Sequence, residues 1–134
     1  MPMTATPVFT QTPDLEIATL TSPTPITSRA NITGTTGLVA LASTATNGKR
    51  VDSIIVKSKG TSLAGTLFIW VYNGTTSFLL DEIDLTAVTP SNTLASMSVT
   101  KNYSGLNLKA TTESLYISVT VAQDLNVFTS TGAY

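Results

Sequence analysis

In several stretches of this chain hydrophobic and polar residues alternate with a period of two, the spacing of half-buried strands. In "SLYISVTVA" (Ser114 to Ala122), Leu115, Ile117, Val119 and Val121 fall on one face and Ser114, Tyr116, Ser118 and Thr120 on the other. "VDSIIVKSK" (Val51 to Lys59) puts Ile54 and Val56 on one face with Asp52 and Ser58, opposite Ser53, Ile55 and Lys57. "TLASMSVT" (Thr93 to Thr100) and "LNLKA" (Leu106 to Ala110) read as two further short strands. One stretch departs from the alternation. In "GTLFIWVYN" (Gly65 to Asn73), Leu67, Ile69 and Val71 share one face, Phe68, Trp70 and Tyr72 share the other, and no residue is charged. Such a strand must be covered on both sides. Asn73-Gly74 can take the positive backbone angles of a tight primed turn, so the chain is predicted to return antiparallel through "TTSFLLDEIDL".

Upstream of Asn47 the character changes. Every proline except Pro90 lies in residues 1–46, and each fixes its own backbone and restrains its predecessor, which rules out a long helix. This part reads as an extended Pro/Thr-rich arm, with "LEIATLT" (Leu15 to Thr21) and "GLVALAS" (Gly37 to Ser43) as candidate edge strands. Residues 47–134 read as the folded domain. Six to eight short strands separated by Gly, Asn, Pro and Ser predict an all-β, antiparallel sandwich, with a jelly roll as the first choice. A jelly roll buries one face of each sheet, which leaves the second face of Leu67 to Tyr72 to be covered by the arm or by other subunits.

Composition narrows the function. The 134 residues fit one domain. Only 11% are charged and the formal net charge is -1, so neither nucleic acid nor an anionic membrane is an expected partner. Cys and His are absent, which removes disulfides, thiolate metal sites and the commonest general base and metal ligand. No apolar run approaches the eighteen or so residues that span a bilayer, and no basic segment followed by an apolar run opens the chain, so the expectation is a soluble protein made in the cytoplasm.

The candidate chemistry is thin. Asp81, Glu82 and Asp84 cluster, with Glu82 and Asp84 about 7 Å apart on one strand face, but no calcium-loop spacing accompanies them and solvated strand-end charge accounts for them. The glycines of "KGTSLAG" do not open a helix and are not followed by Gly-Lys-Ser/Thr, so turn chemistry suffices. The sequons at Asn31, Asn73 and Asn102 read as turns, and "NGKR" with Lys57 and Lys59 as a solvated basic face. Trp70 and Tyr72 on one strand suit a sugar-stacking platform, although their neighbours look like core. No enzyme, cofactor or metal site is expected.

The run "NGKRVDSIIVKSKGTSLAGTLFIWVYNG…FLLDEIDL", with the terminal "QDLNVFTSTGAY", resembles a group of small tailed-phage virion structural proteins that include capsid decoration and minor virion proteins. The likeness runs from about Asn47 to Tyr134. It implies a jelly-roll-like module that assembles as a homotrimer on a capsid or within a tail, in the virion, and it carries over no functional residue. The expectation is a cement protein that reinforces contacts between major capsid protein subunits, with Leu67, Phe68, Ile69, Trp70, Val71 and Tyr72 as the candidate interface. A tail or baseplate component, or a carbohydrate- or receptor-binding sandwich, is the alternative.

Overall fold

The computed structural model describes residues 12–134, which form nine strands and no helix. They are β1 (Thr12–Leu20), β2 (Ile32–Thr33), β3 (Val39–Ala42), β4 (Lys49–Ser58), β5 (Gly65–Tyr72), β6 (Thr76–Leu85), β7 (Ser98–Leu108), β8 (Ser114–Val119) and β9 (Leu125–Ala133). Two antiparallel sheets result: a first in the order β1-β9-β4-β7 and a second in the order β2-β6-β5-β8-β3.

The pairing has a simple logic. Taken along the chain, β1, β3, β4 and β5 pair in reverse order with β9, β8, β7 and β6. The molecule is therefore one long hairpin, folded at Asn73 to Thr76 and wrapped so that β4 also meets β9 and β5 also meets β8. This is the jelly roll, with β2 added outside β6. Of the arm expected over residues 1–46, residues 1–11 lie outside the described residues, and 12–46 contribute β1, β2 and β3 as edge strands; the two candidate edge strands read from the sequence are β1 and β3.

Alternation then fills the space between the sheets. Ala18, Leu20, Val51, Ile54, Val56, Val127 and Leu125 from the first sheet meet Leu41, Leu67, Ile69, Ile83, Leu115, Ile117 and Val119 from the second in one buried cluster. Val121, expected on the same face, falls beyond the end of β8 and is half-buried.

One prediction needs correction. Thr93 to Thr100 and Leu106 to Ala110 were expected as separate strands, whereas Ser98 to Leu108 is a single strand and 86–97 is mostly loop. The reason is a bulge: pairing with β4 passes from Val51↔Leu106 to Ser53↔Asn102, so Tyr103, Ser104 and Gly105 stand against Asp52 alone. Gly105 supplies the positive φ of 78° that the bulge requires. The period of two breaks there, and the sequence shows the break as a gap.

The turn of the hairpin also differs in detail. Gly74, at a φ of 98°, and Thr75 occupy the two central positions, and Asn73 precedes them. Positive φ at the first central position alone is the II′ pattern, still a primed turn. The Asn73 Oδ1 accepts the Thr75 and Thr76 amides at 3.0 and 2.8 Å, so its side chain stands in for backbone.

Two polar clasps close the sandwich laterally. At one edge Lys49 Nζ on β4 donates to Glu16 Oε2 on β1 at 2.9 Å, and Glu16 Oε1 accepts the Ser43 amide and hydroxyl just beyond β3. At the other edge the Tyr103 hydroxyl on β7 donates to Asp81 Oδ2 on β6 at 2.9 Å, with Lys101 Nζ 3.6 Å away. Every buried side-chain nitrogen and oxygen among the described residues has a partner, as low-dielectric burial demands.

Candidate functional site

The outer face of the second sheet answers the question that β5 raises. Leu67 and Ile69 point into the inter-sheet core, while Phe68 and Trp70 point the opposite way and lie outside that cluster, yet all four are fully buried. The chain between β1 and β3 roofs them. It bonds β8 through the Ile26 amide to the Val119 carbonyl at 2.9 Å, carries Arg29 over the Phe68 ring at 5.2 Å, and pairs with β6 as β2. It then turns back, with the Gly34 amide on the Thr75 carbonyl and the Ser77 hydroxyl on the Gly34 carbonyl, and Gly37 passes against Ile26. A Cβ at Gly37 would stand 3.3 Å from Ile26 Cδ1, so the outgoing and returning passes are in contact.

Polar contacts hold this strap down. Arg29 donates to both Glu82 oxygens, at 2.7 and 3.0 Å, a bidentate geometry that holds the Glu82 carboxyl below and the Arg29 guanidinium above their usual ranges. Beneath it the Trp70 indole donates to Ser118 Oγ at 2.9 Å, and the Phe68 and Trp70 rings meet edge to face, 6.0 Å between centroids. The proposed platform residue Trp70 is therefore closed to any ligand. Val71 and Tyr72, at the strand's end, are half-buried.

The other singled-out residues disperse. Asp81 serves the edge clasp, Glu82 holds the strap, and Asp84 is exposed. Burial and the neighbouring Asp81 carboxylate push the Tyr103 hydroxyl well above its ordinary value, so it stays a neutral donor. Among the described residues no group of three carboxylates could hold a metal. Asn73 builds a turn, as expected, whereas Asn31 and Asn102 are exposed on a loop and on β7. The basic face of "NGKR" does not form as one patch: Lys49 is buried against Glu16, Arg50 Nε meets Asp52 at 2.8 Å, and Lys57 Nζ donates to the Ser96 carbonyl.

Two surface features were not singled out in the sequence. On the first sheet's outer face, Ile17, Phe128 and Ile55 stand side by side across β1, β9 and β4. Ile17 is 60% and the neighbouring Leu15 53% exposed, and the row of Ile17 is flanked by Thr19-Asn126-Lys57 on one side and by Leu15-Ser130-Ser53 on the other. The second feature is a cleft of about 470 Å³ at the hairpin end of the second sheet, beside the strap, where Tyr72 and Tyr116 meet edge to face with centroids 5.7 Å apart. Both were legible in principle. "LEIA" alternates, but which of its faces lies outward depends on the partner strand. Tyr116 was read as outward, without its neighbour Tyr72 across the β5–β8 pairing.

In comparisons with protein-family models, curated proteins and solved structures, none matches this chain.

Proposed function

We propose that this chain is a non-enzymatic structural component of a tailed-phage virion, a capsid decoration or cement protein that assembles as a homotrimer and bridges major capsid protein subunits. The observation that carries the reading is the apolar row Ile17, Phe128 and Ile55, with Leu15 beside it, which no described segment covers and which polar positions border on the outer face of the first sheet. The resemblance of residues 47–134 to virion proteins supplies the setting. Because β5 is roofed by its own chain, Leu67, Phe68, Ile69 and Trp70 are buried within the protomer, and the area offered to partners belongs to the β1-β9-β4 face instead.

The mechanism is burial of apolar area across subunit boundaries, worth roughly 25 cal/mol per Å² before the cost of ordering is subtracted. A threefold ring would place equivalent copies of the row around one axis. Light scattering of the purified chain tests the self-association: a trimer is expected, reduced to monomer by Ile17→Lys. Addition to expanded phage capsids is expected to raise their melting temperature. A chain that stays monomeric at high micromolar concentration and leaves capsids unchanged overturns the reading.

A further inference from the structure

We propose that the cleft on the outer face of the second sheet is a binding site for a neutral saccharide. Its volume, about 470 Å³, is that of a small-ligand site. Among the described residues its lining consists of Ala, Gly, Ser, Thr and Tyr, with no charged side chain, so none of them offers a phosphate, a carboxylate or an ammonium group a charged partner.

What the lining does offer is specific. Tyr72 and Tyr116 form an edge-to-face pair, an arrangement that uses one face of one ring and leaves other ring surface for the C–H face of a sugar. The Tyr72 hydroxyl is committed to the Gly74 carbonyl at 2.9 Å, which fixes that ring. The hydroxyls of Thr44, Thr112, Ser114 and Tyr116 have no partner among the described residues, and none is sealed from solvent. Four solvent-accessible hydroxyls around an aromatic pair select for a ligand that is apolar on one face and rich in hydroxyls at its edge. A purely apolar ligand would strip water from those groups and return no hydrogen bond.

The cleft is also built in advance. Its two rims, around Thr44 and around Thr111 to Thr112, are tied together by the Thr111 amide bonding the Ala45 carbonyl at 2.9 Å, with Thr111 held at a φ of 63° that a non-glycine residue rarely adopts. Binding therefore need not order the rims first. A second cleft, about 370 Å³ between Ser22 and Gln123, lacks this character. Its Asp124 carboxylate is taken by the Ser22 amide and hydroxyl, and its Gln123 amide by the Leu63 backbone.

The site lies on the second sheet and the apolar row on the first, so this inference stands or falls apart from the assembly reading. The test is a two-dimensional NMR titration of the full-length ¹⁵N-labelled chain with galactose, N-acetylglucosamine and maltose. Gluconate serves as the anionic control and cyclohexanol as the apolar one. Saturable shifts confined to Gly74, Thr111 to Thr112 and Ser114 to Tyr116 are expected from at least one neutral sugar at up to tens of millimolar, and from neither control. Tyr116→Ala is expected to weaken binding at least about tenfold. Thr112→Val, at an exposed position where folding is not at stake, is expected to weaken it several-fold with an unchanged spectrum elsewhere. The proposal is overturned by no shift with any of the three sugars, by equal binding of cyclohexanol, or by sugar affinity that survives both substitutions.

Discussion

The two outer faces of this sandwich carry similar residues and meet different fates. Phe68 and Trp70 on β5 and Phe128 and Ile17 on β9 and β1 all point away from the inter-sheet core. The first pair is fully buried, whereas Phe128 is half-buried and Ile17 exposed. The difference lies in the connections. The link from β1 to β3 must travel from the edge of one sheet to the edge of the other, and it takes a path out over β8, β5 and β6 and back. No described segment crosses the first sheet in that way. An apolar outward residue is thus either structural or available to a partner according to where the chain next has to go.

Changes on the two faces should separate these roles. The largest effect is expected from Phe68→Ala, which empties a fully enclosed site under the strap and should lower stability by about 3–5 kcal/mol in urea unfolding. A loss below about 1 kcal/mol would mean that the strap does not seal that face. Lys49→Met comes next. It leaves the Glu16 carboxylate in the edge clasp without its cation and should cost about 3 kcal/mol, the lower end for a broken buried pair because Glu16 keeps some contact with water.

The same clasp sets an acid limit. Burial alone would raise the Glu16 carboxyl, but the Ser43 amide, the Lys49 ammonium and the Ser43 hydroxyl outweigh it and hold it below its ordinary 4.5. A carboxyl depressed in the folded state contributes stability that is present above 4.5 and is lost as pH falls through the lower folded value. Urea midpoints are therefore expected to drop below pH 4.5 in the native chain, and to drop less in Glu16→Gln. An equal fall in both would assign the acid sensitivity to other carboxylates.

Phe128→Ala, the mirror of the β5 change on the first sheet's outer face, should cost only about 1–2 kcal/mol because part of its side chain already meets water. Ile17→Lys should change monomer stability by no more than about 0.5 kcal/mol while abolishing self-association. If instead it unfolds the chain, the row on β1 is core and not contact surface.

Much of this architecture can be read without coordinates. The uncharged run before Asn73-Gly74 demands a cover on both sides, and the alternation of Ser114 to Val119 points Leu115, Ile117 and Val119 inward, as they are. These are local facts of period and turn chemistry. The β7 bulge was not legible, since Gly105 is informative only beside the single residue it opposes, Asp52. Nor was the fate of Lys49: one position in "NGKR" looks like any surface lysine until Glu16, far back in the chain, is brought to 2.9 Å from it.

By itself, then, the order of residues determines that this protein is all-β, that its hairpin turns at Asn73 to Thr76, and that β5 cannot face water. Local backbone preference and side-chain period suffice for that, because both act between near neighbours in the chain. Which segment covers β5, which apolar row stays open, and whether Tyr72 and Tyr116 line one cleft were decided by tertiary structure alone. Those outcomes depend on pairings between distant strands and on the path of one connection, and a wrapped hairpin fixes such pairings only when its two halves have closed on each other.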